Sequence, residues 1–304
     1  MDDVKVISEN LSEQEAYLLR ERTWKDKSFF MILKQFMRNK TALFGLALII
    51  IMIIIGLLAP LIAPYSPTGI DPRNGNLTPS LQHLFGTDQY GRDVLSRVMY
   101  GARVSVGIGF GASAFGVVLG LIFGAIAGYF GGAVSTILLR ICDIIQSIPN
   151  TLLCIIVSQT LGGGLFPTLV ALSIYTVPEV TRIVRSSIIT LREQEFIEAC
   201  RATNCSSLRI LLSHVIPNCL SPVIVSFSVG VGMKIMSSAS LSFLGLGIQE
   251  PTAEWGAMIA AARGNMRYAP HAVLFPGLFV ALIVLAFNFV GDGLRDSLDP
   301  KLRR

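Results

Sequence analysis

EFIEACRATNCSSLRILLSHVIPN, residues Glu195–Asn218, is a charged, amphipathic stretch lying between two long apolar runs. At helical spacing Phe196, Ile197 and Cys200 form one apolar patch, and Leu208, Leu211, Leu212 and Val215 form another. Between them Asn204–Ser206 interrupts the pattern. Asn tolerates the left-handed backbone that a tight turn needs, and Ser206 is placed to cap a second helix. Pro217 then begins the next apolar run. The stretch reads as a helical hairpin, far more chain than a simple reversal between two spans requires. A stiff knob of this kind suits contact with another protein.

The chain around it is unusually apolar. Of its 304 residues 52% are hydrophobic and 15% charged, and the mean hydropathy is +0.62, outside the balance of a water-soluble domain. Crossing the hydrocarbon takes about 20 apolar residues. Six runs qualify: Ala42–Ala63, Val104–Ala127, Ile144–Leu161, Leu165–Ile183, Cys219–Ser240 and Ala272–Gly291. The expected fold is an all-α membrane protein with six transmembrane helices. No short apolar core with a small-residue cleavage site opens the chain, so the first span is expected to act as its own insertion signal. With the amino terminus inside, eighteen Lys and Arg residues fall on the inner side and six on the outer, which places both termini in the cytoplasm. The dissenters are local, Arg92, Arg97 and Arg103 just before the second run.

The reading divides into a cytoplasmic amphipathic tail (1–40), a six-span domain (41–304) with an inner hairpin segment at 186–217, and external loops at 64–103 and 241–271. In the tail, Phe29, Ile32, Leu33, Phe36 and Met37 share a face, either an interfacial helix against membrane lipid or the start of span one. Residues 88–103 are expected to form a helix on the outer surface, its arginines facing water or acidic partners and Val94, Leu95, Val98 and Met99 facing lipid. Gly116, Gly120, Gly124, Gly128 and Gly132 recur every fourth residue and make a smooth stripe, for close helix packing or for a sliding, pathway-lining surface. Arg140 and Asp143 are spaced for a local ion pair. Lys234 lies inside the fifth run, either snorkelling outward or lining a solute path. Residues 241–271 are too polar to span and too apolar for a free loop; Trp255 and Tyr268 there are interfacial anchors or contacts for an external partner.

Other chemistries lack their residues. No phosphate loop, G-x-S-x-G or H-E-x-x-H occurs, and His83, His214 and His271 are scattered. Cys200, Cys205 and His214 do not have zinc spacing, so no metal site is expected, and the five cysteines read as free thiols. The net charge of +5 follows the loops without aromatic interleaving, which argues against nucleic acid. A secondary transporter would show broken spans repeated in both halves, a channel a pore-lining repeat, and a membrane enzyme clustered catalytic groups; none is visible.

The hairpin resembles the "EAA" loop of ABC importer permeases, with Glu198, Ala199, Cys200, Asn204, Ile216 and Pro217 at the pattern positions. Cys200, Asn204 and Ile216 depart from the family's Ala, Gly and Leu. The stretches HLFGTDQYGRDVLSRVMYGAR (83–103), SLSFLGLGIQEPTAEWGAMI (240–259) and GDGLRDSLDPKL (291–302) are similar to the second permease subunit of dipeptide, oligopeptide, glutathione and nickel importers. The resemblance implies a type I ABC importer permease in a bacterial or archaeal inner membrane. It implies as partners a homologous second permease, two cytoplasmic ATPases that bind ATP and Mg, and a lipid-anchored external solute-binding protein. The permease itself is then no enzyme and holds no cofactor. The hairpin would be gripped by one ATPase, with Glu198 stabilising it or pairing with a base on that subunit. Lys234 would meet the carboxylate of a peptide solute. Asp88, Arg92, Asp93 and Trp255 would contact the binding protein.

Overall fold

The computed structural model describes residues 30–298, apart from the side chain of Arg201. Residues 1–29 of the tail and 299–304, with their basic residues, lie outside it. Every regular element among the described residues is helical: α1 (30–38), α2 (Lys40–Ile62), α3 (Val94–Phe130), α4 (Gly132–Ser147), α5 (Asn150–Leu161), α6 (Leu165–Arg192), α7 (Glu195–Ala202), α8 (Ser207–Arg209), α9 (Ile216–Phe243), α10 (Trp255–Ala262) and α11 (His271–Leu298).

Asn39 separates α1 from α2 and caps the latter, its side chain accepting from Ala42 N at 3.1 Å. Phe36 turns inward against Gly293 of α11, leaving Leu33 and Met37 exposed.

Four helical stretches are long and apolar enough to cross a membrane: Lys40–Ile62, Val94–Phe130, Ser207–Phe243 and His271–Leu298. The pair α4 and α5 makes a fifth if its two arms are counted as one span. Helix α6 has the length, 28 residues, but carries Glu179 and Arg182 and is less apolar.

Two expectations from the sequence are corrected. The run Ile144–Leu161 is not a straight span, since α4 and α5 meet at 90°. Pro149 lacks an N–H and holds Ile148 in the extended region (ψ 126°), so the helix must stop between Ser147 and Asn150. The surface helix at 88–103 does not exist as a separate element. Residues 88–93 form a turn, and Val94 starts a 37-residue helix that continues through the whole second run. At 1.5 Å per residue α3 is about 55 Å long, well beyond the bilayer core of about 30 Å. Pro217 stands in the first turn of α9, at the head of the apolar run, and the helical path is continuous from Ser207 to Phe243. Residues Ile210–Val215 widen into a π-turn, which accommodates the missing Pro217 donor and the bulk of its ring.

Glycines set the central packing. An added Cβ at Gly116, Gly120, Gly124 and Gly128 would stand 2.5, 2.6, 2.6 and 2.8 Å from the Cβ atoms of Thr176, Val180, Val184 and Ile188. Helices α3 and α6 therefore run parallel in register, one small residue against one branched residue every turn. The stripe ends there. Gly131 (φ +67°) breaks α3, and Gly132 (φ +53°) opens α4 with nothing within 4 Å. Arg192 of α6 closes the seam, donating to the carbonyls of Gly128 at 3.2 Å and Tyr129 at 2.8 Å at the carboxyl end of α3.

Candidate functional site

Two regions gather the chemistry, a hairpin at one end of the bundle and a buried charge cluster at the other.

The hairpin forms as its residues dictate. Helix α7 ends in a left-handed residue, Asn204 (φ +57°). Cys205 N donates back to Cys200 O at 3.0 Å, the bond that closes a Schellman motif. Ser206 then caps the next helix, its Oγ accepting from Arg209 N at 3.4 Å. The underside is apolar and closed. Ile197, Ile210, Leu211 and Val215 pack with Val180, Val184 and Ile188 of α6, with Cys200 and Cys205 partly buried at the edge. The other side is open: Phe196, Leu208 and Leu212 are 41%, 65% and 56% exposed, beside exposed Glu198, Ala199, Asn204 and Pro217. Ile216 is half-buried. A knob braced from below thus presents apolar and acidic side chains outward.

At the opposite end Asp88 organises its loop, accepting from the backbone N of Tyr90 at 2.9 Å and of Arg92 at 3.0 Å. Asp93 caps α3 through Ser96 N at 2.7 Å and contacts His83 Nδ1 at 3.0 Å. Arg92 Nε donates to Asp88 at 2.6 Å, and its Nη1 donates to Glu250. Arg97 donates to Glu250 at 2.8 Å and to Pro67 O at 2.7 Å. Burial works against the Arg92 charge, but its hydrogen bond to Glu250 and the fields of Asp88 and Glu250 outweigh it, and its pKa is raised. Below this layer Trp255 lies on Gly101, its indole N–H donating to Val98 O at 3.0 Å. Glu254 is fully buried, accepting from Ala257 N at 2.8 Å as the cap of α10. Burial pushes its carboxyl above the usual range against the pull of these hydrogen bonds.

The expected outer contacts are corrected here. Asp88, Arg92, Asp93 and Trp255 are 8%, 3%, 3% and 0% exposed: Asp88 and Arg92 pair with each other and Arg92 also with Glu250, Asp93 lies against His83 and Ser96, and Trp255 lies against Gly101 and Val98. The reason is charge pairing. Arg92 and Arg97 need carboxylates; Asp88 supplies one from the same loop, and Glu250, which both share, comes from the 241–271 segment, more than 150 residues away in sequence. Glu250 and Glu254 were missed by sequence reasoning, although two acids in a segment destined for burial were a visible signal. Above the cluster an open groove of about 400 Å³ is bordered by Gln89, Tyr90, Phe243, Gln249, Glu250 and Arg263. Tyr268 is 74% exposed.

Within the bundle, Lys234 is 7% exposed, so it does not snorkel to the surface. Asp143 pairs with Arg140 at 3.8 Å, as its spacing predicts, and more closely with Arg182 of α6 at 2.6 Å. All five cysteines are free.

A bundle of apolar helices crossed by a broken pair, with a braced hairpin at one end, is the architecture of a multi-pass membrane transport subunit. Residues 120–304 match the family described as binding-protein-dependent transport system inner membrane component. Residues 28–79 match the N-terminal transmembrane domain of oligopeptide transport permease C. The chain is 44% identical over 270 residues, 89% of either chain, to the dipeptide transport system permease protein DppC of Alkalihalophilus pseudofirmus. It is 43% identical over 271 residues, again 89% of either, to the glutathione transport system permease protein GsiD of Escherichia coli. Its fold is similar to a chain of the MetNI methionine ABC transporter in an inward-facing conformation, with TM-score 0.55 and 20% identity over 67% of this chain and 97% of that one. The protein belongs to the binding-protein-dependent transport family, as a permease subunit of an ABC importer, and is not an enzyme.

Proposed function

We propose that this permease imports short peptides, forming half of a translocation path with a homologous second permease. Two cytoplasmic ATPases that hold ATP and Mg drive it, and an external lipid-anchored binding protein delivers the solute. The relatives named for dipeptide and glutathione transport support the solute class, and glutathione, itself a small peptide, is the second reading.

The observation that carries the mechanism is the two-sided hairpin. Its buried underside transmits displacement to α6 and α9, while its exposed face, Phe196, Glu198, Leu208 and Leu212, is left for an ATPase groove. Closure of the ATPase pair then shifts the permease between two arrangements through a stiff element. In this reading α4 with α5 and α6 complete six spans, and the hairpin and both termini are cytoplasmic. The binding protein sits over the groove bordered by Tyr90 and Arg263. Asp88, Arg92, Asp93 and Trp255 brace that surface from behind, and Lys234 belongs to the solute path.

The test is uptake of a labelled dipeptide by the reconstituted four-subunit importer with its binding protein. Vanadate should stop uptake and a protonophore should not; the reverse pattern identifies an ion-coupled transporter. A Leu208→Cys variant should cross-link to the ATPase. Glu198→Arg should uncouple ATP hydrolysis from uptake, and normal coupling in an assembled Glu198→Arg complex refutes the role given to that side chain.

A further inference from the structure

The end of the bundle that carries the charge cluster holds a second cavity of about 400 Å³, bordered by Ser158, Gln159, Gly162, Gly164, Gly247 and Gln249 among others. Its volume lies in the range of small-molecule pockets, about 300–1,000 Å³. Gly164 N donates to Gly247 O at 3.2 Å, which ties the start of α6 to the 241–271 segment and leaves the cavity between them. Gly162 is open on it, since an added Cβ there would meet nothing within 4 Å. No charged side chain lines the wall.

Two independent features of this cavity call for an anion. The first is Ser158, 1% exposed, whose buried hydroxyl has no hydrogen-bond partner. On the same helix Thr160 Oγ1 donates back to Ile156 O at 2.8 Å, the ordinary outlet for a hydroxyl in a helix. Ser158 leaves the equivalent bond unmade. A buried hydroxyl without a partner costs free energy and asks for an explanation. The second is the start of α6, a helix of 28 residues that no side chain caps. Among the described residues neither a carbonyl nor a side chain accepts from the N–H groups of Leu165 and Phe166. Helix α6 therefore presents free donors and its positive pole at Gly164, on the cavity wall. Carboxylates and phosphates bind at helix starts of this kind. Gln159 and Gln249 bring amide N–H groups to the rim.

We propose that this cavity is an entry subsite for the carboxylate of the peptide solute, held by the open end of α6 and by the Ser158 hydroxyl. The inference rests on the peptide-importer reading above and adds to it a place where the solute is first recognised. With neither Lys nor Arg on its wall, the cavity suits the single charge of a carboxylate and not the doubled charge of a phosphate. It shares Gly245 and Gln249 with the groove bordered by Tyr90 and Arg263. The rest of the peptide thus has a continuous way out toward the surface assigned to the binding protein.

The experiment measures initial uptake of labelled dialanine, well below saturation, by the complete importer in proteoliposomes with its binding protein. Ser158→Ala is expected to lower uptake about tenfold, the factor carried by a hydrogen bond to a charged group. Its thermal midpoint should hold or rise, because an unpartnered hydroxyl adds nothing to the resting fold. Gly162→Asp and Gly162→Asn form a matched pair: both side chains tolerate the left-handed backbone there (φ +90°) and have the same room. They differ in one charge, and the Asp variant is expected to take up dialanine about tenfold more slowly than the Asn variant by repulsion of the carboxylate. Affinity of the binding protein for the importer should be equal in the pair. Undiminished uptake by Ser158→Ala, or Gly162→Asp uptake equal to or above that of Gly162→Asn, overturns the subsite while wild-type uptake leaves the importer reading standing. Weaker docking of the binding protein in Gly162→Asp alone also overturns it, since the carboxylate is then the binding protein's. Absence of ATP-dependent dialanine uptake by the wild type overturns the importer reading and the subsite with it. Should the Gly162 pair fail to assemble, Ser158→Ala decides.

Discussion

Replacing Gly120 by Ala tests the seam between α3 and α6. The new methyl would stand 2.6 Å from Val180 Cβ and 3.0 Å from Val177 O. The second of these neighbours is backbone, so the helices themselves must part. Overpacking of this kind costs about 1–3 kcal/mol. Against it stands the better helix propensity of Ala, worth about 0.5–1 kcal/mol. The net is a loss of about 1 kcal/mol, or about 2–4 °C in thermal midpoint for a chain of this size. Gly107 on the same helix has nothing within 4 Å, so Gly107→Ala should show only the propensity gain. Cys142, Cys154 and Cys219 are buried, and their reaction with a thiol-specific dye on heating reports unfolding. A Gly120→Ala protein at least as stable as Gly107→Ala would show that the seam is looser than its geometry, and the packing argument would fall.

Glu250→Gln removes the carboxylate shared by Arg92 and Arg97 and should destabilise the protein by about 3 kcal/mol, the lower end for a broken buried pair because Glu250 is partly exposed. Proteolysis within residues 64–93 should accelerate with it. Asn204→Val forces a β-branched residue into φ +57° and should cost about 1–2 kcal/mol locally; limited proteolysis should then cut the hairpin, while Asn204→Gly stays resistant. Glu254 has a carboxyl pKa raised by burial, so its protonated form favours the folded state. That contribution is complete below the unfolded carboxylate pKa and is lost as pH rises through the folded value. The wild-type thermal midpoint should therefore fall across that window, and Glu254→Gln should flatten the profile.

Much of this protein was legible locally. The apolar runs, the break at Asn204 and the cap at Ser206 depend on residues a few positions apart, and a turn or a cap reports itself over that distance. The glycine stripe announced close packing, but only the fold showed that its partners are Thr176, Val180, Val184 and Ile188. The 90° bend at Pro149 was written in one residue and still passed unseen, because length and hydropathy outweighed it.

The sequence alone determined that the chain is a helical membrane protein with a polar hairpin, since hydropathy and short-range spacing are properties of neighbouring residues. The tertiary structure decided where the charges go. Arg92 and Arg97 read as surface residues until Glu250 arrived from more than 150 residues away, and Lys234 read as free to snorkel outward until the bundle buried it. Burial and pairing are relations between distant segments, and no local pattern carries them.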